Sequence, residues 1–270
     1  MDTLHCTSDW ESLATQKIDE GDEVFEPELC SQDKIRDIDR RCIEEFEIPG
    51  LILMEHASIG VTLCAIDLLE QHGGEIEGKR ITICCGPGGN GGDGFAIARH
   101  LHSLDASVKI IDLAPQSRHK DRSTNRSICL HLGIPVKSDC DPPVNSGTQS
   151  EDLIIDAVLG SGISRPPTGV IASAIDWMND QPCAVLSVDL PSGLMADSGE
   201  TPGKVVLATR TATLCLPKCG FLEPRGLQVV GEVWICPIGA PPSLLHGSAP
   251  LFPPVPRPLE LKPGFPLQSR

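Results

Sequence analysis

One short segment, residues 86–92, restricts the possible folds of this chain more than any other, because five of its seven residues are glycine. It follows an apolar run at 80–85 that is typical of a β-strand, and it precedes a helical pattern at 93–104. Glycine lets the backbone approach a ligand closely and point its N–H groups at a phosphate. The spacing matches neither G-x-G-x-x-G with a distant acidic residue nor a P-loop, which ends in Gly-Lys-Ser/Thr. Taken alone, the segment fits a nucleotide-binding turn and a simple connection whose Asp93 caps the helix about equally well.

The rest of the chain alternates between strand and helix patterns. Two amphipathic helices, which begin at Ser31 and near Met54, come first. Strands are then predicted at 80–85, 107–113, 153–159, 184–189, 211–216 and 232–236, with helices at 93–104, 123–132 and 172–178. This alternation predicts an α/β fold, a Rossmann-like three-layer domain with a mostly parallel sheet and helices on both faces. We expect an acidic mobile tail at 1–30, one domain at 31–242 and a Pro-rich C-terminal tail at 243–270.

Charge and cysteine content restrict the partners and the compartment. A formal net charge of −15 disfavours nonspecific binding to nucleic acid or to anionic membranes, which basic patches drive. No apolar run approaches the roughly 20 residues that span a bilayer, and no targeting segment is recognisable, so we expect a cytoplasmic protein without a membrane partner.

The 12 cysteines show no C-x-x-C spacing, which favours buried, reduced thiols over disulfides or a zinc site. His100 and His102 point two ways on a helix, so we reject them as zinc ligands.

Polar side chains follow two more of the predicted strands, at their carboxyl ends. Asp156 precedes Gly160-Ser161-Gly162, and Asp189 ends the next strand, three residues before Ser192. The carboxyl ends of parallel strands meet at one edge of the sheet, where such folds bind ligands. A carboxylate inside an apolar strand is costly to bury unless it meets a cation or several donors, and the simpler alternative ties Asp156 to loop amides alone. Together with the glycine-rich segment, the two carboxylates predict a site that none of the three predicts alone.

In order and spacing these segments resemble the motifs of NAD(P)H-hydrate epimerases, the YjeF N-terminal domain family. Residues 86–94 resemble the family signature G-P-G-N-N-G-G-D-G, 156–162 resemble its D-A-x-x-G-x-G loop, and 188–193 resemble V-D-I-P-S-G. Residues 39–41 with 48–55 resemble its two opening helices, and 216–218 with 237–239 resemble its last turns. The resemblance covers residues 30–242. It implies an isomerase that interconverts the R and S forms of hydrated NADH and NADPH (NADHX and NADPHX) in the repair of nicotinamide cofactors.

The resemblance also implies the residues of the site. Asp189 would be the catalytic carboxylate, and a potassium ion would be held by Asn90, Asp156 and Ser192. Oxygen ligands suit such a hard cation, which would offset the buried charge of Asp156. The substrate would be contacted by the following residues: Gly89, Asn90, Gly91, Gly92, Asp93, Gly160, Ser161, Gly162, Ile163, Ser164, Arg165, Pro166 and Asp189. The family further implies a homodimer, and a separate NAD(P)HX dehydratase as the functional partner.

Two residues depart from the family pattern. Gly89 replaces the first Asn of the signature, so we expect an active enzyme with reduced affinity, which Gly89→Asn would restore. His56 stands where Asn is usual, and we interpret it as a hydrogen-bonded, half-buried helix residue rather than a site residue.

Two other functions compete with the epimerase. One is a non-catalytic dimerisation or binding module of the same fold, as in messenger-RNA decapping enhancers. The retained Asn90, Asp93 and Asp156, together with Asp189 and Ser192, favour the enzyme, because a scaffold has no need of carboxylates at its strand ends. The other is an ordinary dinucleotide-dependent oxidoreductase, which is disfavoured because the glycine-rich segment lacks the expected spacing.

Overall fold

The computed structural model of the protein describes residues 29–138, 151–163, 165–245 and 256–259. Nearly all of the predicted acidic tail and most of the Pro-rich C-terminal tail lie outside the described residues, as does Ser164.

Two helices open the described part of the chain. Helix α1 (Gln32–Glu44) begins as predicted, because the Oγ of the N-cap residue Ser31 accepts a hydrogen bond from the Lys34 N–H at 3.3 Å. Its buried side chains are Ile35, Ile38 and Cys42. Helix α2 (Gly50–Gln71) follows directly after Pro49, which interrupts the helical pattern where the sequence predicts.

The expectation that no segment could span a bilayer is wrong for α2. Over an 18-residue window this 22-residue helix has a mean hydropathy of 1.6, so it is long and apolar enough by length and composition alone. In the structure 56% of that window is buried inside the protein. A core helix of a soluble protein passes the same test, and the finding is therefore weak evidence for a membrane span.

The described residues form one sheet of eight strands in the order β3-β2-β1-β4-β5-β6-β7-β8, in which only β8 is antiparallel to its neighbour. The strands are β1 (Arg80–Cys85), β2 (Ser107–Asp112), β3 (Val136–Lys137), β4 (Leu153–Ala157), β5 (Ala184–Val188), β6 (Arg210–Leu214), β7 (Glu232–Cys236) and β8 (Arg257–Leu259). Strand β1 pairs with β2 on one side and with β4 on the other, so the strand order reverses there. Open α/β sheets bind their ligands at the carboxyl edge of this reversal point.

Helices cover both faces of the sheet, which confirms the predicted three layers. On one face, α2, α3 (Gly89–His102) and α4 (Lys120–His131) contribute to a core that includes Val61, Phe95 and Cys129. On the other face, α5 (Gly169–Asn179) packs Ala174 and its neighbours Ile175 and Met178 against the strands. Both cores consist mainly of aliphatic side chains, as a buried parallel sheet requires.

Helix α3 begins four residues earlier than the sequence predicts. Its N-cap is Gly88, so most of the glycine-rich segment forms the first turn of the helix rather than a loop. Asp93 lies beyond that turn and is buried, which rules out the alternative in which it only caps the helix. The sequence conceals this turn because glycine has a low intrinsic helix propensity.

Two strands were missed by the sequence analysis. The two-residue strand β3 is too short to show a period, and β8 lies in the Pro-rich tail that was expected to be irregular. Strand β8 pairs with the outer side of β7, where Pro258 stands opposite Trp234. Proline is tolerated there because an edge strand need not donate every backbone hydrogen bond.

The described cysteines behave as small apolar residues. None of the ten forms a disulfide, and eight of them are buried. The described residues contain no group of three or more His, Cys, Asp or Glu side chains that could hold a metal ion.

We predict that Gly94→Ala destabilises the fold although alanine is the better helix former. Helix propensity alone would stabilise the variant by about 1 kcal/mol. A Cβ at this position, however, would lie 2.6 Å from the Ala157 Cβ and 2.8 Å from the Cys85 Sγ. Such overpacking costs about 1–3 kcal/mol, so urea unfolding should show a net loss of stability. Gly162→Ala is the control, because its Cβ would meet no atom within 4 Å; a Gly94→Ala protein as stable as the control would contradict the prediction.

Candidate functional site

A cavity of about 490 Å³ opens at the carboxyl ends of the central strands, where the strand order reverses. Its polar side is formed by the first turn of α3, by residues 158–163 after β4 and by Asp189 after β5. Apolar side chains of α1 and α2 form the opposite wall: Ile35, Ile43, Leu53, Met54 and Ala57. The volume lies within the range of small-molecule sites. The structure therefore brings together the three segments that the sequence predicts to form one site.

Asp156 lies near the end of β4, is fully buried and is not among the residues that line the cavity. Its carboxylate accepts four hydrogen bonds: from the Ser192 N–H at 2.8 Å, the Ser192 Oγ at 2.5 Å, the Ser187 Oγ at 3.0 Å and the Val158 N–H at 3.2 Å. Burial raises the pKa of Asp156, and these hydrogen bonds offset only part of that effect. All four donors are neutral, so they satisfy the carboxylate oxygens without compensating the negative charge.

Asn90 is the second residue of α3, and its side chain lines the cavity. The residue is 8% exposed, and neither Oδ1 nor Nδ2 has a hydrogen-bond partner within the described part of the protein. A buried amide without partners costs free energy that a native fold rarely leaves uncompensated. The Asn90 amide is therefore available to bind a ligand or an ion in the cavity.

Asp189 follows β5 in the left-handed conformation, with φ of 70°. Its Oδ1 is ion-paired with the Nζ of Lys218, and its Oδ2 faces the Ser161 N–H at 3.3 Å. Lys218 is fully buried, and its Nζ also donates to Thr213 Oγ1 and to the Leu214 carbonyl, each at 2.9 Å. The backbone strain and the ion pair together aim the Asp189 carboxylate into the cavity.

Lys218 is not among the site residues predicted from the sequence, in which residues 216–218 resemble a family turn. A Lys that directly follows the apolar strand β6 and its turn is nevertheless a signal of a buried cation. Only its contact with Asp189, 29 positions earlier in the chain, reveals its place in the site.

Two further aspartates, Asp39 and Asp93, line the same cavity. Burial, followed by the negative charges of Asp189 and Asp39, raises the pKa of Asp93 well above its ordinary value, and Ser58 offsets part of this by hydrogen bonding. Burial and the charge of Asp189 raise the pKa of Asp39 to about 6, and the ammonium of Lys218 acts in the opposite direction. When carboxyl groups lie close together, the negative charge of one raises the free energy of ionising the next. The cavity therefore places a carboxyl whose protonated form is favoured, Asp93, beside the ion-paired carboxylate of Asp189.

The remaining glycines of the signature serve packing. A Cβ on Gly91 would lie 2.1 Å from the Gly86 carbonyl oxygen, and one on Gly92 would lie 2.7 Å from the end of Met54. Neither residue lines the cavity, although the N–H of Gly91 belongs to the first turn of α3.

The segment 160–166 divides at Ser164. Gly160, Ser161, Gly162 and Ile163 line the cavity, whereas Arg165 and Pro166 are exposed and do not. The side-chain amide of Gln32, at the start of α1, donates to the Ser161 carbonyl and so ties this segment to α1. Contact of Arg165 and Pro166 with substrate remains a prediction that the arrangement of the cavity does not favour.

His56 has the structural role that the sequence analysis assigns to it. Its Nδ1 lies 2.9 Å from the Pro237 carbonyl oxygen, the ring is half-buried, and it is not part of the cavity lining.

Comparison with known sequences agrees with this geometry. The profile of the family described as "YjeF-related protein N-terminus" matches residues 50–220. The NAD(P)H-hydrate epimerase of Rhodopirellula baltica is 33% identical over 221 residues, which are 82% of this chain and 87% of that protein. The NAD(P)H-hydrate epimerase of Oenococcus oeni is 35% identical over 210 residues, 77% of this chain and 95% of that protein. The bifunctional NAD(P)H-hydrate repair enzyme Nnr of Moorella thermoacetica is 34% identical, but the chain spans only 41% of its length.

Among solved structures, yeast ynu0 has the same fold. The two superpose with a TM-score of 0.73 at 19% sequence identity, and the alignment covers 86% of this chain and all of the yeast chain. At this identity the likeness concerns the fold alone.

The raised pKa of Asp39 predicts a pH-dependent effect of Asp39→Asn on stability. A carboxyl whose pKa rises on folding, here from 3.8 to about 6, stabilises the fold most below pH 3.8, and this contribution is lost as the pH rises through 6. The variant should therefore melt at a higher temperature than the wild type at pH 8, and the difference should vanish near pH 4. Asp33→Asn, on the exposed side of the same helix, is the control. A difference in melting temperature between Asp39→Asn and the wild type that does not change with pH would show that the pKa of Asp39 is not raised in the folded protein.

Proposed function

Because the chain belongs to the family of YjeF-related protein N-termini, we propose that it is an NAD(P)H-hydrate epimerase, which interconverts the R and S forms of hydrated NADH and NADPH. The observation that carries the proposal is the cavity, in which Asp93, Asp189 and the Asn90 amide meet at the N-terminus of α3, the amide having no hydrogen-bond partner in the described part of the chain. The relatives named above as epimerases match this chain over most of their own length.

The first turn of α3 supports binding of the phosphates of such a cofactor. The first N–H groups of an α-helix have no partner within the helix, and the helix dipole is positive at this end. The turn contains no side chain that would keep a phosphate away from Gly88 or Gly89. An acidic protein can bind an anionic cofactor in this way without a basic patch.

The carboxylates support the chemistry. As the C–O bond of the hydrate breaks, the lone pair of the ring nitrogen forms a C=N bond, and a carboxyl proton turns the departing hydroxide into water. Water then attacks the other face of the ring and passes a proton to a second carboxylate, and proton exchange with solvent returns both carboxyls to their starting states. The ring is cationic between these steps, so negative charge fixed in the cavity stabilises it.

Acid and base are assigned from the surroundings of each carboxyl. The raised pKa of Asp93 keeps its proton available for the departing hydroxide. Asp189, ion-paired with Lys218, is the first choice for the group that takes the proton from the returning water. Two carboxyls with opposite environments are the arrangement that general acid–base catalysis requires.

We further propose that potassium is bound by Asn90, Asp156 and Ser192, as the family implies. The residues fit a hard cation: the Asn90 oxygen is buried without a partner among the described residues, and Asp156 is a fully buried carboxylate whose donors are neutral. The three residues follow β1, end β4 and follow β5, which are adjacent strands. A cation there would compensate the charge of Asp156 and attract anionic oxygens of the substrate.

A second copy of the chain is our proposal for the partner. Five large apolar side chains of α1, α2 and the turn between them are exposed: Ile43 at the cavity rim, Phe46, Ile52, Ile59 and Leu63, with exposures of 41–58%. Exposed apolar surface of this kind is typical of an association face.

We also propose that a dehydratase consumes the epimerised product, since the relatives described as repair enzymes are bifunctional.

Potassium binding should be measurable as stability. If the ion exceeds its dissociation constant about tenfold, it stabilises the protein by about 1.4 kcal/mol. Replacing potassium chloride by lithium or tetramethylammonium chloride at equal ionic strength should then lower the melting temperature. Asp156→Asn should abolish that difference. Equal melting temperatures of the wild type in all three salts, with and without ligand, would exclude the ion.

The activity is tested by following the R epimer of hydrated NADH in the presence of a dehydratase that consumes only the S epimer. The wild type should exceed the spontaneous rate, and Asp189→Asn should not. Because Asp189→Asn leaves the buried Lys218 ammonium without its counter-charge, it costs about 3 kcal/mol of stability. The double variant Asp189→Asn/Lys218→Met removes both charges and should fold while remaining inactive. If the wild-type protein epimerises the substrate no faster than the spontaneous reaction, the non-catalytic binding module becomes the better interpretation. If the double variant is active, Asp189 is not part of the mechanism.

A further inference from the structure

His119 faces the position that the missing side chain of Gly89 would occupy. A Cβ built on Gly89 would lie 3.9 Å from the Nε2 of His119. Gly89 begins α3, His119 is the N-cap of α4, and both line the cavity. The imidazole of His119, at the start of α4, therefore lies next to the space that a polar side chain at position 89 would occupy.

Local hydrogen bonds hold His119 in this place. The Ser117 Oγ donates to the Pro87 carbonyl at 2.7 Å, which ties the segment after β2 to the glycine-rich turn. The same Oγ faces the His119 N–H at 3.3 Å. The His119 Nδ1 accepts from the Arg122 N–H at 3.4 Å and so caps α4.

The capping bond determines which ring nitrogen carries the proton. An Nδ1 that accepts a hydrogen bond is unprotonated, so in the neutral ring the proton is on Nε2. The nitrogen that faces Gly89 is therefore a donor, as the amide nitrogen of an Asn side chain would be.

We propose that His119 is a substrate-binding residue of this cavity, whose Nε2–H donates to a phosphate oxygen held at the N-terminus of α3. The inference rests on the proposed function for the identity of the ligand as a dinucleotide. Two features point to an anionic ligand there: the first N–H groups of α3, which have no partner within the helix, and the Asn90 amide beside them, buried without a partner among the described residues. His119 thus supplies the polar contact that Gly89 does not.

The pairing changes the expected result of Gly89→Asn. The sequence alone predicts tighter binding, and the backbone at Gly89 has no positive φ that would oppose the substitution. With His119 in place, the new amide enters the space of the imidazole and competes for the same ligand atom. We therefore expect a gain only when His119 is shortened in the same protein.

The test separates the binding role of His119 from its capping role. Asn is an efficient N-cap residue but is too short to reach the ligand, so His119→Asn keeps the cap and removes the contact. His119→Gln places a donor at a similar reach. ADP-ribose, titrated by calorimetry, is the probe for the phosphate contact, and KM and kcat for the hydrated cofactor report on the reaction.

We expect His119→Asn to weaken ADP-ribose binding and raise KM by about tenfold, the value of one hydrogen bond to a charged group, with kcat and the melting temperature near those of the wild type. His119→Gln should stay within about threefold of the wild type, and Gly89→Asn alone should not bind more tightly. The double variant Gly89→Asn/His119→Asn should recover most of the loss. His131→Asn, in the exposed last turn of α4, is the control and should leave binding unchanged.

Three results would overturn the proposal: wild-type affinity in His119→Asn, the same loss in His119→Gln as in His119→Asn, or no binding of ADP-ribose by the wild type. Failure of the proposed function looks different. In that case the wild type binds ADP-ribose and responds to His119→Asn, but it does not accelerate epimerisation.

Discussion

The site depends on how closely the first turn of α3 approaches the ends of β1 and β4. A Cβ on Gly86 would lie 1.8 Å from the Val158 carbonyl oxygen, and one on Gly91 would lie 2.1 Å from that of Gly86. No side chain fits at either position, so only glycine permits the contact. This contact places the N-terminus of a 14-residue helix directly at the reversal point of the sheet. The helix dipole, the amide of Asn90 and the carboxyl of Asp93 all reach the cavity as a consequence.

The second constraint is electrostatic. Asp39, Asp93 and Asp189 line the cavity, Asp189 is ion-paired with the buried Lys218, and Asp156 is fully buried near the end of β4. Burial raises the pKa of Asp39, Asp93 and Asp156, and neighbouring negative charges raise it further for Asp39 and Asp93, so ionising these groups as the pH rises destabilises the fold. The aliphatic cores on both faces of the sheet offset this cost. An accumulation of acidic groups that opposes stability is typical of a site selected for chemistry rather than for packing.

The ligand-binding groups are distributed over the fold in a way that motifs do not describe. His119 lies outside every family motif, yet its ring faces Gly89, the residue at which the chain departs from the signature. By comparison with the family signature, Gly89 lacks the hydrogen-bond donor of an Asn side chain. In the folded protein, His119 at the start of α4 supplies a donor beside Gly89.

The α/β fold, the parallel strands and the set of strand ends that carry the site can be predicted from the sequence, because side-chain periodicity and glycine spacing are local properties of the chain. The sequence pattern misplaces the start of α3, because glycines conceal a helical turn that tertiary packing stabilises, and it misses β8, because proline obscures an edge strand. The roles of Lys218, Asp39 and His119 become visible only in the folded protein. Each acts through a residue that is distant in the chain, and the pKa of a carboxyl or the reach of an imidazole depends on which groups the fold places beside it.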